Sequence, residues 1–107
     1  MKYRVIIAAE AEDDLDAIYR WVERADGAQR ADDLLARIER SICSLEETPL
    51  RGHRSPELER LGADGEREIG SPPYRIVHEI AGPSVHVLAI VDGRRDLEEV
   101  FRLRLLR

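Results

Sequence analysis

Hydrophobic positions change their period several times along this chain, and each change marks an element. In KYRVIIA, residues 2–8, Tyr3, Val5 and Ile7 alternate with Arg4 and Ile6. That period of two predicts a strand with one strongly apolar face and one mixed face. The period lengthens at Ala9. Leu15, Ile18, Tyr19 and Val22 fall at i, i+3, i+4 and i+7, which predicts an amphipathic helix over 10–26. Glu10, Glu12, Asp13 and Asp14 crowd its first turn, where the positive end of the helix dipole favours carboxylates. Gly27 is a natural stop. A second stripe of Ala31, Leu34, Leu35, Ile38, Ile42 and Leu45 predicts a helix over 28–47. Thr48-Pro49 ends it, because the residue before proline is pushed out of the α region. One short link between two long helices implies an antiparallel hairpin.

Residues 49–64, rich in Gly, Pro and charge, read as a loop with a helical turn at Pro56–Leu61. Three β segments follow at 65–70, 73–81 and 84–91, the last two joined across Gly82-Pro83, a hairpin signal. Asp96 with Glu99 three residues on forms a D-x-x-E capping box. It opens a final helix over 97–105 that buries Leu97, Val100 and Phe101. The order is β-α-α-β-β-β-α. The fold class is α+β, with the helical hairpin packed on a mainly antiparallel sheet.

Length and composition narrow this further. A chain of 107 residues, 43% hydrophobic, suits one domain over 1–107 with one modest core. No apolar run approaches the roughly 20 residues of a membrane span, and the acidic cluster after MKYRVIIAAE does not suit a secretory signal. The single cysteine, Cys43, excludes an internal disulfide and agrees with a cytoplasmic setting. The net charge of −5 is uneven. Residues 1–50 hold seven basic against twelve acidic side chains, and residues 51–107 hold ten of each. A nucleic-acid footprint, if present, has to be local.

Four segments carry a family resemblance: AEAEDDLDAIYRWV at 9–22, ARIERSICSLEETPLRGH at 36–53, GEREIGSPPYRIVHEI at 65–80 and VHVLAIVDGRRDL at 85–97. The pieces L-x-x-x-P-x-x-G, R-E followed by Y-R-I, and the near-terminal R-D are loose singly and specific in their order and spacing. The chain resembles the ParE/RelE superfamily of bacterial toxins from type II toxin–antitoxin modules, and most closely its ParE-like branch. The resemblance implies a small toxin held inactive in a hetero-oligomer with a cognate ParD-like antitoxin, whose C-terminal segment wraps it. ParE-like members block DNA gyrase, whereas RelE-like members cleave mRNA on the ribosome. It implies no cofactor.

The chemistry has to separate those activities. Metal-free RNA cleavage needs a base, an acid and cations around the phosphate. RelE-like nucleases resemble one another in a Tyr or His near the C-terminus, and VFRLRLLR has neither. No catalytic residue is therefore assigned. No Cys/His spacing fits a metal site, and the first-turn acids lack a calcium loop. His78 and His86 on neighbouring strands are proton-transfer candidates, or simply strand histidines bonded to backbone. His53 reads as surface and Cys43 as a half-buried small hydrophobe.

What remains is the pair Arg94-Arg95, placed between the last strand and a helix capped by Asp96. A turn there gains nothing from two guanidinium groups. With Arg75 and Arg67 they suggest a basic patch for a target or an antitoxin, since guanidinium forks grip carboxylates and phosphates. The competing reading is an internal pair with Glu68 or Glu79. Trp21 lies off the main stripe of its helix, where it either packs at the core edge or stands out as a contact for a partner.

Overall fold

The computed structural model describes residues 2–62 and 65–105, Leu105 by its backbone alone. The elements are β1 (Arg4–Ile7), α1 (Ala9–Asp26), α2 (Ala28–Cys43) with a 3-10 turn at Ser44–Glu46, β2 (His53–Arg54), α3 (Pro56–Arg60), β3 (Glu66–Ser71), β4 (Tyr74–Ala81), β5 (Ser84–Asp92) and α4 (Leu97–Leu105). They form an α+β fold with a five-stranded sheet in the order β1-β5-β4-β3-β2. β1 runs parallel to β5, and every other pairing is antiparallel.

Gly27 alone joins the two long helices. At φ 94° it donates its N–H to the Glu23 carbonyl and accepts from Ala31 N–H, so one residue closes α1 and opens α2. The positive φ suits glycine. The stripes then pack as their spacing requires. Ala11 and Val22 of α1, and Ala31, Leu34, Ile38 and Ile42 of α2, are buried with Leu45 against Ile69, Ile76, Val85, Val87 and Ile90 of the sheet. Tyr19 ties the hairpin by donating its hydroxyl to Asp32 at 2.6 Å.

The loop at 49–64 is more regular than its composition suggests. It holds the two-residue strand β2 and the short helix α3, whose Ser55 cap accepts from Leu58 N–H at 3.4 Å with Pro56 at the first helical position. Gly52 explains the ending of the L-x-x-x-P-x-x-G motif. Its φ is 88°, and a Cβ there would sit 2.1 Å from the Glu68 carbonyl oxygen. The backbone of β3 thus leaves room for glycine alone.

The sheet is covered on both faces. α3 and α4 enclose a smaller core of Leu58, Val77, Ala89, Val91, Leu97 and Val100 on the face away from the hairpin. A bulge makes this possible. Val77 pairs with Ala89 but His78 pairs with Val87, so Leu88 has no partner. The extra residue inverts the alternation of β5. Val85 and Val87 face the hairpin before it, and Ile90 faces the hairpin after it, leaving Ala89 and Val91 for the second core.

β1 is too short to cover β5. Ala8 N–H donates to Val87 O, after which the chain turns into α1 and leaves the edge of β5 bare. Two side chains fill it. Asp14 accepts from Ile90 N–H at 2.9 Å, and Arg104 donates to Leu88 O at 3.2 Å while pairing with Asp14 at 2.6 Å. Arg104 also lies 3.3 Å from Glu10 and over the Phe101 ring. Two of the acids near the start of α1, Glu10 and Asp14, thus pin α4 across the sheet edge. Cys43 is exposed rather than half-buried, because it lies one residue, about 100° of helix rotation, past Ile42 in the buried stripe.

Candidate functional site

Next to that filled edge lies an open groove of about 460 Å³. One wall is α1, through Asp14, Ala17, Ile18 and Trp21. The other is the end of β5 with Pro73, Tyr74, Arg94 and Arg95. The groove brings together two candidates more than seventy positions apart in sequence, the off-stripe tryptophan and the arginine pair. Trp21 is 62% exposed, a large apolar surface left to solvent rather than packed at a core edge. Arg94 stands out with its side chain 91% exposed, fixed among the described residues only by Asp92. Its Nε and Nη2 each lie 3.1 Å from that carboxylate. The hydrogen bonds from Arg94 hold Asp92 below the usual carboxylate range. Arg95 is exposed on the same loop. Tyr74, which sequence reasoning passed over, forms part of the floor. Burial, then the charge of Asp92, pushes its phenol above the ordinary value, so it presents a neutral hydroxyl at neutral pH.

Arg75 has a different role. Its guanidinium lies between two carboxylates, with Nη2 at 2.6 Å from both Glu57 Oε1 and Glu68 Oε2 and Nε at 2.8 Å from Glu68 Oε1. Its side chain is 18% exposed. Those hydrogen bonds, first from Glu68 and then from Glu57, push its pKa further up. Arg75 in turn holds Glu57 below the usual carboxylate range. Glu57 also accepts from Leu97 N–H at 2.8 Å, so one carboxylate links β4, α3 and the start of α4. Asp96 caps the same helix through Glu98 N–H at 2.9 Å. Asp96 is the cap as expected, but the D-x-x-E box does not form. The Glu99 side chain makes no hydrogen bond among the described residues, and Glu57 takes the N–H of the first helical residue while Asp96 takes that of the second.

Arg67 lies elsewhere again. It pairs in register with His78 and donates to Gly52 O at 2.8 Å, beside β2. Of the four arginines, only Arg94 and Arg95 line the groove. The histidines are also separated. His78 is fully buried with Nε2 3.0 Å from Pro49 O, whereas His86 pairs in register with Glu79. His78 and Glu79 are consecutive on β4 and so point to opposite faces. His53 is exposed, 3.5 Å from Glu68. Among the described residues, no cluster of His, Cys, Asp and Glu has the arrangement of a metal site.

The comparisons with known proteins agree on what this arrangement belongs to. The family model described as the ParE toxin of the type II toxin–antitoxin system, parDE, matches residues 5–97. Toxin ParE3 of Caulobacter vibrioides is 31% identical over 100 residues, covering 88% of this chain and 90% of that protein. The chain belongs to the ParE toxin family. Its fold is that of the chromosomal ParDE toxin–antitoxin system from P. aeruginosa, with a TM-score of 0.70 at 20% identity over 85% of this chain and 96% of the other. It is also that of the toxin–antitoxin complex RelBE2 from Mycobacterium tuberculosis, with a TM-score of 0.62 at 20% identity over 86% and 92%.

In this ParE-family chain the sequence motifs that carry the likeness serve largely to hold the fold. Leu45 is core, Pro49 offers its carbonyl to His78, and Gly52 admits the backbone of β3. Arg67, Glu68, Tyr74, Arg75 and Ile76 supply a loop clasp, an ion network, the groove floor and a core residue. The tail that lacks Tyr and His supplies Arg104 to the edge of β5. No helix among the described residues is long and apolar enough to cross a membrane.

Proposed function

We propose that this chain is the toxin of a type II toxin–antitoxin module, that a ParD-like antitoxin neutralises it, and that it acts on DNA gyrase by protein contact. The observation that carries the reading is the groove in which Trp21 and Tyr74 meet Arg94 and Arg95. An exposed aromatic beside exposed cations is the composition of a protein-contact hot spot. The neighbours of known fold are described as toxin–antitoxin systems or complexes, which supports a partner protein of that kind. Gyrase is favoured over RNA because the tail holds no Tyr or His for proton transfer and the net charge is −5.

The test is induction of the chain alone, followed by assays of gyrase supercoiling and of mRNA integrity. Growth arrest with lost supercoiling and intact mRNA is expected. Arrest with cleaved mRNA makes the chain a ribosome-dependent endonuclease, and absence of arrest makes it a binding relative without toxicity. Arg94→Ala with Arg95→Ala is expected to abolish arrest while leaving the far-ultraviolet circular dichroism spectrum unchanged. Full arrest by that folded double variant removes the groove from the effector role.

A further inference from the structure

The groove is not the only place where cations gather. Arg37 and Arg40 stand three positions apart on the exposed side of α2, and Arg51 follows in the connection to β2. With Ser41, Gly70, Ser71 and Pro72 they surround a recess of about 360 Å³ that no carboxylate of a described residue lines. Among the described residues, the side chains of Arg37 and Arg40 make no hydrogen bond or ion pair. The nearest acid on the same face one turn back, Asp33, is taken by Gln29. Arg51 gives one N–H to Ser44 Oγ at 2.6 Å and keeps the rest of its fork. Three guanidinium groups that converge without counter-charges repel one another, and an anion relieves that repulsion.

Arg51 is also a wall of a second recess, about 480 Å³, formed with Glu47, Thr48, Pro49 and Leu50. Leu50 is 67% exposed. A basic recess and an apolar one thus share a wall.

We infer that the two recesses together bind an acidic peptide segment of a partner protein, with an apolar side chain on Pro49 and Leu50 and carboxylates on Arg51, Arg40 and Arg37. A peptide fits better than a nucleic acid for three reasons. No aromatic side chain lines either recess, so bases find no stacking platform. The chain's charge of −5 gives no broad positive field to draw in a polyanion. The apolar neighbour suits an amphipathic segment. The inference uses neither gyrase nor the groove at Trp21, and it stands or falls apart from them.

The experiment is fluorescence anisotropy with a labelled synthetic peptide of leucine and glutamate at low salt. Its controls are the leucine–glutamine counterpart, an oligothymidylate of equal charge, and inorganic phosphate as competitor. Saturable binding of the glutamate peptide alone is expected, weakened about tenfold or more by Arg37→Gln with Arg40→Gln and about threefold by Leu50→Ser. Arg30→Gln, on the same helix but outside the recess, leaves it unchanged. Arg40→Glu, the reversed charge, abolishes it, and melting curves verify that each variant is folded. Absence of saturable binding, equal affinity in the double variant, or tighter binding of the oligothymidylate through the same arginines each overturns the inference.

Discussion

Arg75 and the pair Arg94-Arg95 lie within about twenty positions of each other, carry the same functional group, and sit at the same end of the sheet. Their surroundings differ completely. Arg75 is clasped by Glu57 and Glu68 with its side chain 18% exposed, whereas Arg94 is 91% exposed and, among the described residues, bonds only to Asp92 of its own turn. The first cannot be removed without leaving two carboxylates facing each other in a half-dry space. The second can be removed at almost no structural cost. A guanidinium whose partners come from two other elements is part of the architecture, and one held by a near neighbour is available to a partner.

Breaking the clasp is expected to have the largest effect. Arg75→Ala should cost about 3 kcal/mol of stability, because removing one member of a largely buried ion network strands the others. α4 should loosen as well, since Glu57 also holds Leu97 N–H. Urea unfolding measures this, and a loss below about 1 kcal/mol breaks the comparison by making Arg75 no more structural than a surface arginine.

A smaller effect is expected at His78. Burial is the main cause holding its pKa below the ordinary 6.5, helped by Arg67 and Arg51 and opposed by the Pro49 carbonyl. Above that value both folded and unfolded chains carry it neutral. As pH falls below it, the unfolded chain takes up a proton that the folded chain refuses, so stability declines toward the folded pKa. Glu79, pushed up first by burial and then by Glu66, acts in the opposite direction, because the folded chain binds its proton first. Glu57 adds a decline below its ordinary 4.5, a separate window. The melting temperature should therefore fall as pH drops below the ordinary histidine value of 6.5, and His78→Gln should flatten that fall. An unchanged slope in the variant assigns the fall to other groups.

The smallest stability effect sharpens the comparison most. Arg94→Ala with Arg95→Ala should shift unfolding by no more than about 0.5 kcal/mol while removing growth arrest. Trp21→Ala should behave alike, as its indole is largely in solvent. A large stability loss in either variant means that the groove walls are structural after all.

Much of the fold was legible because periodicity is a local signal. The α1 and α2 stripes, the three late strands and the Gly27 stop lie where spacing put them. The bulge at Leu88 was not legible, since an unbroken apolar run such as VLAIV has no visible parity. β2 was hidden because two residues carry no period. At the site, Trp21, Arg94 and Arg95 were visible as residues out of place, and the Asp96 cap as a local pattern. Tyr74, Glu57 and Asp14 were not, because their roles depend on partners in other elements.

By itself the sequence determined the elements, their order and the hairpin with its buried stripe, which rest on neighbours within a few residues, and the family, which rests on the order and spacing of motifs along most of the chain. Only the tertiary structure decided which arginines are spent and which are free. That choice depends on which distant carboxylate lies across a strand or a helix end, and strand pairing sets those distances.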